Sequence, residues 1–259
     1  MKPVSLFIIF CCCCFIAFAH HNKGGTIWYK YLGPGSADNT SKYEETVQHY
    51  VLCQGIDDEY EQVYLGIFDG ATNVLLQTIK IPRSNIALIQ KTTFNACINQ
   101  TPEICFFSPN YITIIEVSNN IAGYILSEQE CCRTDATTNV IDPSTVGFTN
   151  TTTIPGVING MVYRNNSSPD LIIRDTAVIC HNSYFKIDFS ATDPDGDQLT
   201  YNFCGAKSTG SSARQPIPPS APPYTDVPYT PGYNATAPLG SGVTINSTTG
   251  LISGIAPAA

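Results

Sequence analysis

Apolar and polar side chains alternate over much of the chain. From Tyr184 to Ser190 the apolar Phe185, Ile187 and Phe189 interleave with Lys186, Asp188 and Ser190, and Leu199, Tyr201 and Phe203 repeat the pattern. A period of two sends successive side chains to opposite faces of an extended chain, so each run predicts a half-buried strand. The same pattern predicts strands over Thr26 to Leu32, Gln62 to Phe68, Asn73 to Ile79, Tyr111 to Val117 and Gly123 to Leu126. Asp69-Gly70 lies between the second and third of these, and such a dipeptide accepts the positive φ of a hairpin turn. One segment carries two patterns. Ser41-Lys42-Tyr43-Glu44 has the form of a helix capping box, with Tyr43, Val47, Tyr50 and Val51 at helical spacing. Read as a strand, the segment puts Val47, His49, Val51 and Cys53 on one face, and its β-rich neighbourhood favours the strand.

Interruptions in the pattern divide the chain. Thr151 to Pro169 has little apolar periodicity and places a boundary near Asn165, giving a first β unit over 20–164 and a second over 165–259. Gln215 to Pro238 holds eight prolines interleaved with Tyr224, Tyr229 and Tyr233, which precludes central strands and favours extended, polyproline-like backbone. Two readings stand for its aromatics: packing of the loop onto a sheet, which is the commoner case, or ligand binding. Val243 to Asn246 and Leu251 to Gly254 flank Ser247-Thr248-Thr249-Gly250 as strand, turn, strand. With Leu251 to Ile255 read as an edge that nothing later covers, the second unit is expected to be incomplete.

Composition narrows the class. Only 13% of residues are charged, about half the usual share, with turn formers and β-compatible residues in their place. Val4 to Ala19 is free of charge after Lys2 and ends in Ala17-Phe18-Ala19, so residues 1–19 read as a secretion signal cleaved before His20. Loss of Lys2 from the 13 basic residues leaves 12 against 21 acidic ones, a net charge of −9. Nucleic-acid partners need a dense basic field and are excluded. Four of the 11 cysteines fall in the signal, which leaves Cys53, Cys97, Cys105, Cys131, Cys132, Cys180 and Cys204. In an exported chain these predict disulfides with one thiol left over. The adjacent Cys131 and Cys132, read as strand residues, point to opposite faces and are expected to take different partners.

Candidate chemistry is sparse. Asp193-Pro194-Asp195-Gly196-Asp197 crowds three carboxylates into one turn, and calcium bound by Asp193, Asp195 and Asp197 would offset their repulsion. Gln198 and Cys204 stand where an EF-hand needs glycine and a bidentate glutamate, so that motif is excluded. The alternative, favoured by the short ligand count, is a surface turn in which the aspartates cap backbone amides. No nucleophile elbow, zinc-protease helix or paired carboxylates in a plausible cleft occur, and catalytic residues and cofactors other than calcium are not expected. His49 reads as a packed or surface residue, and His181 has no catalytic spacing. Asn39, Asn99, Asn150, Asn165, Asn166, Asn234 and Asn246 sit in N-x-Ser/Thr triplets, which would matter in a eukaryotic secretory pathway; most of them read as turn residues. Trp28, Tyr224, Tyr229 and Tyr233 could together form a sugar-stacking platform.

Several short motifs in order carry a resemblance. Gly24 to Leu32, Lys42-Tyr43-Glu44 through Cys53, and Gly66-Ile67-Phe68-Asp69 are followed by Cys131-Cys132-Arg133, Asn165 to Pro169 and Ala191 to Asp197. Pro222-Pro223-Tyr224, Pro231-Gly232-Tyr233 and Thr249-Gly250-Leu251-Ile252 then complete the series. Together they resemble the opening of large secreted proteins of the Bacteroidetes associated with gliding motility and exported by the type IX system. The resemblance implies an all-β chain of tandem immunoglobulin-like, PKD-like or cadherin-like sandwiches, and it favours the strand reading of Tyr43 to Cys53. Relatives continue into a further cysteine-bearing strand and a C-terminal sorting domain, through which alone a membrane attachment would arise. Asp175-Thr176-Ala177 resembles a short O-glycosylation sequence of that phylum. The expected role is a non-enzymatic extracellular or cell-surface adhesion or spacer module, whose partners are extracellular polymers or other surface proteins. The alternative is a carbohydrate-binding accessory region of a larger secreted hydrolase.

Overall fold

In the computed structural model, residues 22–53, 61–91, 104–158, 161–162, 165–171, 177–209 and 216–257 are described. The signal segment Met1 to Ala19, Cys97, Asn99 and Asp175-Thr176 lie outside them. Among the described residues the chain is all-β, with antiparallel ladders and a short 3-10 turn at Pro143–Thr145. Seven strands form the main sheet: β1 (Asn22–Pro34), β2 (Thr40–Leu52), β3 (Gln62–Asp69), β4 (Leu75–Lys91), β5 (Ile104–Ser118), β6 (Tyr124–Glu130) and β7 (Phe148–Ile154). Their spatial order is β1-β2-β5-β4-β3-β6-β7, and the sheet curls until β7 comes back against β1. Short pairs follow as β8 (Val157–Ile158) with β9 (Met161–Val162), and β10 (Asp170–Leu171) with β12 (Ala191–Thr192). A three-stranded sheet is built from β11 (Tyr184–Asp188), β13 (Val243–Ile245) and β14 (Leu251–Ile255).

The strand reading of the ambiguous segment holds. β2 pairs along one side with β1 and along the other with β5. Its alternate residues Tyr43, Val47 and Val51 are buried, and the first two join Ile27, Tyr29, Leu65, Ile67, Tyr111 and Leu126 in the main core. Long-range pairing and burial outweigh a local helical pattern because both edges of the strand are hydrogen-bonded and one face is packed into the core.

The β3–β4 hairpin forms as expected, but its turn chemistry differs. The positive φ falls at Asn73 (59°), and the Asp69 carboxylate accepts hydrogen bonds from the Ala71 and Thr72 amides and the Thr72 hydroxyl. Gly70 serves close packing instead, since a Cβ there would strike the Ala122 carbonyl.

Three further expectations are corrected. β14 is the central strand of its sheet, with β11 on one side and β13 on the other, so Leu251 to Ile255 is not an uncovered edge. Leu199 to Phe203 forms no strand: the Tyr201 amide donates to the Ser247 carbonyl, and Phe203 packs against a second small core of Phe185, Val243, Ile252 and Ala256. Cys131 and Cys132 are joined to each other rather than to separate partners, because they lie just past the end of β6, where no ladder fixes their side chains on opposite faces. Cys53 and Cys105 form a disulfide that closes the ends of β2 and β5, Cys180 is also disulfide-bonded, and Cys204 is a free, exposed thiol.

The Pro-rich segment lies on the main sheet. Ser220 donates through both its amide and its hydroxyl to Gln129 Oε1, while the Thr149 amide and hydroxyl donate to the carbonyls of Lys207 and Ser208. Val227 and Tyr229 pack with Val140 and Val146, and Val140 forms a β-bridge to Tyr229. Along the free edge of β1, the Ser168 amide donates to the Tyr29 carbonyl and the hydroxyls of Ser168 and Ser167 accept the Tyr29 and Tyr31 amides.

Candidate functional site

Alternation on three strands sends polar groups into the interior of the curled sheet. On β2 the residues Tyr43, Glu45, Val47, His49 and Val51 share one face; on β6 Tyr124, Leu126, Glu128 and Glu130 do the same. β7 adds Phe148 and Asn150, which stand directly opposite Glu130 and Glu128 in the ladder. β2 and β6 are not neighbours, so His49 meets the two glutamates across the interior.

The resulting cluster excludes solvent: His49 is 0% exposed, Glu128 1% and Glu130 4%. His49 Nδ1 lies 3.0 Å from Glu130 Oε2, and His49 Nε2 lies 3.3 Å from Glu128 Oε2. The same Glu128 oxygen accepts the Asn150 amide at 2.8 Å. Tyr111 and Phe148 flank the imidazole, their ring centroids 5.4 and 5.7 Å away, the latter edge-on. Gly25, paired with His49 across the β1–β2 ladder, provides the space: a Cβ there would sit 2.8 Å from Asn150 Nδ2 and 3.0 Å from His49 Cδ2. Among the described residues, this is the one place where three His, Cys, Asp or Glu ligand atoms lie within 4.8 Å of one another.

Glu45, one turn of the pleat from Val47, is a different kind of buried acid. It is 0% exposed, and neither carboxylate oxygen has a hydrogen-bond partner. Burial holds its carboxyl well above the ordinary range and so favours its neutral form. Burial likewise pushes the neighbouring Tyr43 phenol up to about 12.

The residues singled out from the sequence are not brought together here. Asp193 Oδ1 accepts the amides of Asp195 and Asp197, Gly196 takes a φ of 84°, and Asp195 Oδ2 accepts the Ser167 amide at 2.6 Å. Two of the three carboxylates are thus engaged by backbone. Trp28 is half-buried on β1 opposite Thr46, and Tyr224, Tyr229 and Tyr233 are half-buried along the Pro-rich segment. No ring contact joins these four among the described residues. The Tyr229 hydroxyl accepts the Ala206 amide, and the Tyr224 hydroxyl donates to the Ser220 carbonyl.

His49 was legible as a packed or surface residue, which left its burial and its partners open. The signal lay in continuing the alternation past Leu126, which places Glu128 and Glu130 at inward positions. Comparison with protein-family models, with curated proteins and with solved structures finds no match to this chain.

Proposed function

We propose that the chain is a non-enzymatic extracellular or cell-surface module that acts as a stiff spacer or adhesion unit. The observation that carries this reading is the lashing of the later segments onto the seven-stranded sheet. The 166–168 strap covers the β1 edge and is itself held by Asp195, while Ser220, Lys207 and Ser208 bond to the outer residues Gln129 and Thr149 of β6 and β7. Covered edges resist association with stray strands, and short hydrogen-bonded links between units transmit force without slack. The Cys53–Cys105 disulfide and the signal-like residues 1–19 support an oxidising, exported setting. An acidic surface leaves extracellular polymers or other surface proteins as the partners.

Antibodies to the mature chain test this on intact cells of the native host, alongside in-frame deletion of residues 20–259. Labelling of unpermeabilised cells together with reduced attachment after deletion is expected. Label confined to the cytoplasm, or attachment unchanged by the deletion, contradicts the reading.

A further inference from the structure

We propose that the β3–β4 turn and the β5–β6 loop together form an apolar tip that docks on the surface of an uncharged lipid membrane. The two segments lie side by side: Asp69 pairs with Tyr124 in the β3–β6 ladder, and the Gly70 amide donates to the Gly123 carbonyl. Between them they present Val74, Leu75, Leu76 and Ile121 to solvent. Ile121, 79% exposed, is the most exposed large apolar side chain among the described residues, and Val74 and Leu76 stay more than half exposed. A single exposed aliphatic is ordinary, whereas four on two touching segments mark an interaction site.

Charge decides the class of partner. No residue from Gly70 to Ile79 or from Val117 to Ser127 is charged, while the mature chain as a whole carries 12 basic against 21 acidic residues. Neither segment offers a basic group to an anionic headgroup, and the acidic remainder is repelled by one, so neutral lipid is the surface that fits. Backbone hydrogen bonding is the second reason, because an amide carried to the edge of a hydrocarbon phase is costly to leave unpaired. The turn meets this condition from within. The Ala71 and Thr72 amides donate to Asp69 Oδ1, the Asn73 amide to the Asp69 carbonyl, and the Asp69 amide to the Val74 carbonyl, while the Gly123 amide donates to Asn120 Oδ1. Side-chain type is the third reason. Protein interfaces are anchored by Trp, Tyr and Arg, and residues 70–76 and 119–123 include none of these. Aliphatic groups on a hydrogen-bonded turn gain instead by entering the lipid boundary, in proportion to the apolar area they bury there. The Asp69 carboxylate, at the foot of the turn, limits docking to the headgroup boundary.

The tip adds a mode of attachment to the surface role proposed above without resting on it, since purified chain and vesicles test it whether or not the chain is exported. Residues 20–259, with disulfides intact, are sedimented with phosphatidylcholine vesicles at low and at high salt. Co-sedimentation that high salt does not weaken is expected, and Ile121→Ser and Val74→Ser should each lower the partition coefficient about tenfold. Both side chains are exposed in the free chain, so its melting should not change. Should a serine variant fail to fold, Ile121→Trp decides: its emission, over that of Trp28, moves to the blue when vesicles are added. Absence of co-sedimentation, co-sedimentation retained in full by both folded serine variants, loss of binding in high salt, or an Ile121→Trp emission that vesicles leave in place overturns the proposal. Self-association without vesicles that Ile121→Ser removes also overturns it, by giving the tip to a second copy of the chain.

Discussion

Two acids at opposite extremes show how position decides what a carboxyl contributes. Glu45 is buried without a partner and its proton affinity is raised, so the folded state favours its neutral form. Its contribution is therefore fully present below the ordinary glutamate range and is lost as pH rises from there through the raised folded value. Glu45→Leu, measured by denaturant unfolding, is expected to add about 1–3 kcal/mol at pH 8 and to flatten the decline between pH 5 and 8; an unchanged slope would count against a neutral buried Glu45. Glu116 is the converse. The Thr40 hydroxyl, the Ala37 amide and the Ser36 hydroxyl and amide all donate to it, holding its carboxyl down to about 2. Its stabilisation is present above the ordinary glutamate range and disappears as pH falls toward about 2. NMR titration should place its midpoint there, and Glu116→Ala should speed hydrogen exchange at Ser36 and Ala37 without disturbing β3 or β6.

At the scale of elements, the disulfide between β2 and β5 closes a loop of 52 residues. Chain-entropy reasoning assigns such a loop about 4 kcal/mol, so Cys53→Ser with Cys105→Ser should lower unfolding stability by about 2–4 kcal/mol. Gly25→Ala is expected to cost about 1–3 kcal/mol, since the added Cβ would stand 2.6 Å from the Gln48 carbonyl as well as against Asn150 and His49. A neutral effect would mean that the packing around His49 is looser than described. Strand positions were legible wherever alternation ran cleanly, as in Gln62 to Phe68 and Tyr184 to Asp188. What was not legible depended on partners distant in sequence. Nothing local to Leu251 to Ile255 shows that β11 and β13 flank it, and nothing near Glu128 shows that His49 stands opposite. Period-two patterning gives the face of a residue, while the identity of the facing strand is set by sheet order. The Asp193 to Asp197 turn was readable as backbone capping, but its tie to Ser167 required the fold.

For the whole molecule, the proposed spacer role requires that the seven-stranded sheet and the β11–β14–β13 sheet move as one body. The links are hydrogen bonds at Ser167, Thr149, Gln129 and Asn139, the last donating to the Pro238 carbonyl, together with the small apolar cluster of Val140, Val146 and Val227. Many short contacts spread along the Pro-rich segment hold better than one, because opening any of them leaves the rest in place. ¹⁵N relaxation on the mature protein tests this most directly. Amides in β2, β5 and β6 and amides in β11 and β14 should report a single rotational correlation time; a distinctly shorter time for β11 and β14 would contradict the account.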